Sequence, residues 1–183
     1  MPSAYSAAGL PADCLLDSGL LLINSDTPFG VSMGDLGFDP RKEIRQIDFD
    51  GKRSDIVGLD RIVGFQPAIS GSLKEMNATK LTSFYEPGST SAEAGGVTTI
   101  TPRKAGVLLV AGNYLTDVRL VYPRGSGGYA WIRFPKGLCI KYDVKGKDKE
   151  EAIMAIEIVA RLDMAVAADT DVAPYVIELA AAL

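Results

Sequence analysis

Apolar residues recur at every second position along several segments of this chain, most clearly on either side of one glycine-rich turn. Val118, Leu120 and Tyr122 follow this spacing, and Tyr129–Phe134 alternates in the same way after the sequence PRGSGG. Successive side chains of a strand point to opposite faces of a sheet, so a period of two predicts strands. The turn between the two segments then predicts a β-hairpin.

A charged link follows an earlier strand-like segment. Ile44–Asp50 places Arg45, Ile47 and Phe49 on one face and polar residues mostly on the other, which predicts a half-buried strand. Residues 51–61 carry both signs of charge and two glycines, which is typical of an exposed connection.

A long alternating segment comes after the link. Same-face residues recur at every second position from Val63 to Leu73, with Pro67 among them. Proline has no backbone N–H to donate to a neighbouring strand, so an edge strand or a bulge is predicted at Pro67.

The segment from Ala152 to Asp163 carries conflicting signals. Its alanines and glutamates favour a helix. Apolar residues at every second position favour a strand, and these are Met154, Ile156, Ile158, Ala160 and Leu162. We predict a strand here.

One short helix is predicted. Asn77 is a good helix N-cap, and Leu81, Phe84 and Tyr85 follow at helical spacing. Residues 101–111 fit a helix or a buried strand equally well. The remaining segments are predicted as an arm over 1–13, a strand over 15–24, loops over 25–40, 89–96 and 165–173, and a short final strand or arm over 174–179.

Composition excludes several kinds of site. The chain has 183 residues, 47% of them hydrophobic, which is enough for the core of one domain. It has no histidine, which excludes histidine-based bases, Ser-His-Asp triads and the usual zinc sites. A net charge of −4 without a dense basic run argues against a protein that reads DNA sequence. Cys14 and Cys139 lack metal-binding spacing, so we predict free, at least partly buried thiols in a reducing compartment.

Acidic residues cluster around the charged link. Asp48, Asp50, Asp55 and Asp60 raise the question of a calcium loop, but the ligand spacing, central glycine and closing glutamate of an EF-hand are missing. An exposed charged connection is the better interpretation.

Other candidate sites are weaker still. Gly125–Gly128 lacks the residues that complete a phosphate-binding loop, and the serines have no histidine to activate them. Trp131 and Tyr129 share a strand face and are candidates for a sugar- or base-stacking platform, although such aromatics more often lie in cores or subunit contacts. The sequence therefore predicts neither an enzyme nor a cofactor site.

Several phrases of the chain together resemble the major tail protein, or tail tube protein, of long-tailed non-contractile bacteriophages. They are, in order, DFDGKRSDIVGLDRIVGFQPAISGSLKEM (48–76), GNYLTDVRL (112–120), GYAWIRFP (128–135), GKDKEEA (146–152), ARLD (160–163) and APYVIEL (173–179). The first forty residues match least.

The resemblance implies a fold and a function. The implied fold is mainly β, a β-sandwich or barrel of two packed sheets with one short α-helix and extended terminal arms. The domain would span 14–173, with an N-terminal arm over 1–13 and a C-terminal arm or strand over 174–183. Six copies would close a ring, and stacked rings would enclose a tape-measure protein and conduct double-stranded DNA to the host.

The same resemblance implies partners and a location. The partners are copies of the chain itself, the tape-measure protein, and the tail terminator and distal tail proteins. The implied location is the virion tail, after synthesis and assembly in the host cytoplasm. Membrane insertion is not expected, because apolar runs such as 107–111 are too short to cross a bilayer.

Particular residues are assigned to this assembly as hypotheses. The charged link would contact a neighbouring subunit or ring through Lys52, Arg53, Asp55, Asp60 and Arg61. The lumen or rim of the channel is assigned to Asp48, Asp50, Glu157 and Asp163. Ala152–Leu162 has few interrupting prolines, so it is predicted to offer an edge for pairing between subunits.

Two alternatives remain open at this point. One is the inner-tube or terminator protein of another tail-like injection system. The other is a monomeric carbohydrate-binding β-sandwich that uses Trp131 and Tyr129.

Overall fold

The computed structural model describes residues 15, 19–24, 27–29, 34–47, 58–74, 80–86, 89–125, 127–146, 152–162 and 173–180. The strands are β1 (Leu20–Ile23), β2 (Thr27–Pro28), β3 (Gly37–Asp39), β4 (Lys42–Gln46), β5 (Asp60–Phe65), β6 (Ala68–Leu73), β7 (Thr90–Ala94), β8 (Val97–Thr101), β9 (Leu115–Pro123), β10 (Tyr129–Lys145), β11 (Ile153–Ala160) and β12 (Val176–Ala180). This confirms the mainly β class.

The strands form three antiparallel sheets within the described part of the chain. The main sheet has eight strands in the order β2-β1-β9-β10-β11-β6-β3, and β12 pairs with β10 beside this path. Each of the other two sheets is a single hairpin, β4–β5 and β7–β8.

Strand β10 organises the main sheet because it is long enough to serve two sets of neighbours. Its 17 residues pair with β9 over Tyr129–Gly137 and with β11 over Gly137–Lys145. The register with β11 shifts between Cys139 and Lys141, which leaves Ile140 as the extra residue of a bulge. A bulge bends its strand and increases the local twist.

The main sheet curls so that its end strand returns over its middle. Phe38 of β3 lies 6.1 Å from Phe134 of β10 between ring centroids. The Tyr122 hydroxyl on β9 donates a hydrogen bond of 2.7 Å to the carbonyl of Leu36, just before β3. Both halves of the sheet therefore enclose one hydrophobic core.

The core is filled by the apolar faces of β1, β6, β9, β10 and β11. Its fully buried members include Ile23, Ile69, Val118, Phe134 and Ile158. Burial of this apolar surface is the main favourable contribution to folding. The alternation that predicted the hairpin over 118–134 is confirmed by the β9–β10 register, in which Leu120 pairs with Ile132.

The predicted strand over 152–162 is also confirmed. Met154, Ile156, Ile158 and Ala160 all point into the core from β11, and Leu162 lies just past the strand and is 40% exposed. The final predicted strand corresponds to β12.

The predicted helix takes a different form. The described residues give a π-helical turn over Leu81–Tyr85, in which the Glu86 N–H donates to the carbonyl of Leu81. Phe84 and Tyr85 contact Phe29 at 5.4 and 5.3 Å between ring centroids, so the apolar face packs on the core as predicted. Asn77, the predicted N-cap, lies outside the described residues.

Several other predictions were wrong in detail. The described part of the strand predicted over 15–24 is β1 alone, with Leu15 in an isolated bridge to Arg124. The loop predicted over 25–40 contains β2 and β3, and the loop over 89–96 contains β7. Residues 102–110 form neither helix nor strand, and Leu108 there is 87% exposed.

Pro67 ends a strand instead of interrupting one. The alternating segment 63–73 divides at Gln66–Pro67 into β5, which pairs only with β4, and β6, which belongs to the main sheet. The Pro67 carbonyl accepts a hydrogen bond of 3.0 Å from the Ala160 N–H, so the break is itself fixed to the main sheet.

Cys139 is a buried free thiol beside the bulge, as predicted; Cys14 lies outside the described residues. Burial raises the pKa of the Cys139 thiol to about 11. The thiolate is the reactive form, so a Cys14→Ser variant at pH 8 is expected to react with a thiol reagent roughly a hundredfold more slowly when native than when unfolded. Absorbance of the released reagent group measures both rates, and equal rates would contradict the burial.

Candidate assembly surfaces

The β4–β5 hairpin projects from the main sheet with both faces exposed. Ile44 and Ile62, which face each other across the hairpin, are 61% and 47% exposed. Residues 44–46 lie in β4, so the predicted strand is confirmed there, but its predicted half-burial was wrong over the described part. The alternation of apolar and polar residues shows which side chains share a face of a strand. It does not show whether another layer covers that face.

The base of this hairpin is held by Arg41. Its guanidinium Nη1 lies 2.6 Å from Glu157 Oε1 on β11, and its backbone N–H donates to Asp39 Oδ1 at 3.0 Å. The hydrogen bond to Glu157 is the chief reason why the pKa of Arg41 is raised. With a φ of 41°, Arg41 adopts the left-handed conformation, which turns the chain from β3 into β4.

The predicted assembly residues fall into two groups. Asp60 and Arg61 lie on β5, where they pair with Gln46 and Arg45, so they belong to a strand and not to the loop assigned to them. Glu157 lies on the outer face of the main sheet and is bound to Arg41. The other assigned residues lie outside the described residues: Lys52, Arg53 and Asp55 for contacts, and Asp48, Asp50 and Asp163 for the lumen or rim.

One face of the β4–β5 hairpin forms a concave site with two guanidinium groups. Arg45 and Arg61 are direct cross-strand partners, and Ile47 and Val63 flank them. The concavity has a volume of about 390 Å³. No ion pair of either arginine is formed with the described residues.

The β7–β8 hairpin is the second projecting sheet. Gly95 and Gly96 form its turn with φ values of 60° and 76°. Two successive residues at positive φ make the tight turn that matches strand twist, and Gly-Gly is one of its sequence signals. That dipeptide was the signal that could have revealed this hairpin from the sequence.

Besides the outer sides of the end strands β2 and β3, two further edges of the main sheet are unpaired among the described strands. Gly137 pairs with Leu115 of β9 on one side and with Ala160 of β11 on the other, so these neighbours lie on opposite sides of β10. Beyond Gly137, no described strand pairs with the β9 side of β10 over residues 138–145. Strand β12 pairs on the opposite side of β10, and no described strand pairs with its outer edge.

Strand β11 is not one of these edges. It is flanked by β10 on one side and by β6 on the other. The prediction that Ala152–Leu162 pairs with a neighbouring subunit was therefore wrong. The strongly apolar face of β11 is buried in the core, and both of its edges are hydrogen-bonded to neighbouring strands.

The predicted aromatic platform is partly covered. The guanidinium carbon of Arg119 lies 5.1 Å from the centroid of the Trp131 ring, within the range of a cation–π interaction. Asp117 holds this arginine at 2.7 Å and also binds Arg133. One face of Trp131 is therefore occupied from within the chain, which does not favour sugar stacking there.

A groove runs along the base of the β4–β5 hairpin. It has a volume of about 690 Å³ and lies between β5 and the end of β11, with Val63, Phe65, Leu162 and Pro174 among its lining residues. Phe65 also contacts Tyr175 at 6.2 Å between ring centroids. The groove holds no pair of facing carboxylates and no nucleophile beside a base among the residues described.

The described residues offer neither a metal-binding cluster nor a membrane-spanning helix. Within the described ranges, no three side chains of the metal-binding types come together. No helix there has the length and apolar character needed to cross a bilayer.

Comparisons with known proteins give no family for the chain. No protein-family model matches it, and no curated protein sequence is similar to it. Its function is therefore inferred from the resemblance and from the assembly surfaces described above.

Proposed function

We propose that this protein is the structural subunit of a phage tail tube. Hexameric rings of the chain stack into a cylinder that encloses the tape-measure protein and later conducts genomic DNA. The curled main sheet then corresponds to the β-sandwich of such subunits. The ordered phrases of the sequence that resemble tail tube proteins support this proposal.

The observation that carries the proposal is the pair of free edges on the main sheet. The edge of β10 over 138–145 and the outer edge of β12 face opposite directions across the sheet. Two different edges that face opposite ways allow each copy to bind the next in a head-to-tail manner. Such heterologous contacts close into a ring when the rotation between copies is suitable.

The side chains along these edges are compatible with pairing between copies. On the core side of the sheet, Val144 is 48% exposed and Leu179 is 67% exposed, so both leave apolar surface uncovered. On the outer side, Lys141 of β10 and Glu178 of β12 carry opposite charges. Pairing these edges between two copies would bury Val144 and Leu179 together. It would also place Lys141 and Glu178 on the same face of the joined sheet.

The overall charge is also consistent with a conduit. The net charge of −4 does not favour attraction of the chain as a whole to phosphate groups. A duplex that must slide through a channel is better served by a wall that does not bind it.

Electron microscopy of the purified protein tests this function. Wild type is expected to form rings or tubes, and Val144→Lys or Leu179→Lys is expected to abolish them because a lysine on an edge opposes strand pairing. Leu108→Lys is the matched control, since Leu108 is 87% exposed but lies in a loop and belongs to neither edge strand. Discrete monomers at every concentration of wild type would contradict the proposal.

A further inference from the structure

The two projecting hairpins lack a core of their own. Most residues of β4–β5 and all but Ile100 of β7–β8 are exposed, and the two hairpins make no extensive contact with each other within one copy. An isolated two-stranded hairpin is only marginally stable in water. Both hairpins therefore offer surfaces that a partner would stabilise.

The arginine face of β4–β5 indicates the charge of that partner. Arg45 and Arg61 stand directly opposite each other, and like charges in that position destabilise a strand pair. Glu43 lies on this face two residues before Arg45, opposite Gly64, but it forms no ion pair with either arginine in the described structure. Guanidinium groups bind carboxylates through paired hydrogen bonds, so an acidic side chain placed between the two arginines would relieve their repulsion.

The β7–β8 hairpin presents such a side chain. Glu93 is the single charged residue of the segment 90–101. It is exposed, pairs across the hairpin with Thr98, and lies two residues before the Gly95–Gly96 turn. Ile100 shares its face of the hairpin.

We propose that Glu93 of one copy binds between Arg45 and Arg61 of a neighbouring copy. The apolar walls of the concave site, Ile47 and Val63, then contact Ile100 of the incoming hairpin. Opposite charge and the apolar residues beside it make the second copy the occupant. This inference rests on the proposed assembly of identical subunits and names one contact within it.

Charge reversal tests this contact. Arg61→Glu and Glu93→Arg are each expected to raise the protein concentration needed for half-maximal assembly roughly tenfold. The double variant Arg61→Glu/Glu93→Arg is expected to recover most of this loss, because the charges are complementary again. Sedimentation velocity measures assembly, and circular dichroism confirms that each variant is folded.

Lys42→Glu is the matched control, because Lys42 is exposed on the opposite face of β4. It is expected to leave assembly unchanged. As a second measurement, Arg61→Cys/Glu93→Cys is expected to form disulfide-linked ladders of subunits under mild oxidation. Arg61→Cys alone and Glu93→Cys alone are each expected to form no disulfide-linked ladder of that length.

The outcomes separate this inference from the proposed function. Tubes that form normally in both reversal variants would overturn the contact and leave the tube function standing. A rescued contact that produces only closed dimers would support the contact and contradict the tube. Dependence on Arg61 without dependence on Glu93 would overturn the named occupant.

Discussion

Replacing Phe134 with alanine is expected to lower the free energy of unfolding by about 3–5 kcal/mol. Phe134 is fully buried on β10, the strand that both halves of the main sheet share, and its ring contacts Phe38 of the returning strand β3. Truncation would leave a cavity at the point where the sheet closes on itself. Domains of this size are stable by roughly 5–15 kcal/mol, so the loss is a large fraction of the total.

Chemical denaturation followed by circular dichroism measures this effect. Phe65→Ala is the matched control, because Phe65 is 39% exposed on the projecting β5 strand and should cost about 1 kcal/mol or less. Phe134→Leu keeps most of the volume and is expected to lose about 1–2 kcal/mol, which keeps the comparison measurable if Phe134→Ala does not fold. Equal losses at Phe134 and Phe65 would contradict the position of the core.

A side chain at Gly71 is expected to be the second most damaging change. A Cβ atom there would lie 2.7 Å from Leu36 Cδ2 and 2.9 Å from Leu36 Cα. The second contact is with the main chain, so a side-chain rotation cannot relieve it. Gly71→Ala should cost about 1–3 kcal/mol, and Gly71→Leu should prevent the segment before β3 from crossing β6.

Neighbouring hydrogen bonds explain why that segment cannot move aside easily. Asp35 accepts from the Ser72 N–H at 2.7 Å and from the Ser72 hydroxyl at 2.6 Å. Gly37→Ala is the matched control, since a Cβ at Gly37 would meet no atom within 4 Å and its effect should be small. Thermal unfolding compares the variants, and a Gly71→Ala protein as stable as Gly37→Ala would refute the close approach.

The local spacing of apolar residues was sufficient to predict a strand where one face of that strand is buried. The β9–β10 hairpin and β11 were predictable because apolar residues such as Leu120, Ile132 and Ile156 recur with the period of a strand and are buried in the core. Glycine within a strand often marks the close approach of another backbone, and Gly71 is such a position.

The same spacing failed to predict burial where the exposure of a strand depends on other segments of the chain. Ile44 and Ile62 have the spacing of half-buried strands, yet no layer covers them in the described structure. Strand β11 lies in a segment with few interrupting prolines, which predicted an edge for pairing between subunits. In the structure, β6 and β10 pair with its two sides. Strand order depends on contacts between distant residues, which a single alternating segment does not encode.

The candidate subunit contacts were likewise only partly predictable from the sequence. Arg61 was assigned to a subunit contact from the charge of its segment, but its partner Arg45 became evident only from the register of β4 with β5. Glu93 was missed because its segment of small residues predicted a loop. The free edges of β10 and β12 likewise required the complete pairing of the main sheet.

The sequence by itself determined the mainly β character of this protein, the faces of its central strands, and the absence of histidine chemistry. These follow from residue type and from the two-residue repeat of a strand, which act over short distances. The tertiary structure alone decided which strands lie inside the sheet, which edges stay unpaired, and which charges face each other across a hairpin. Those properties depend on register and on long-range packing, where segments far apart in the chain compete for the same neighbours.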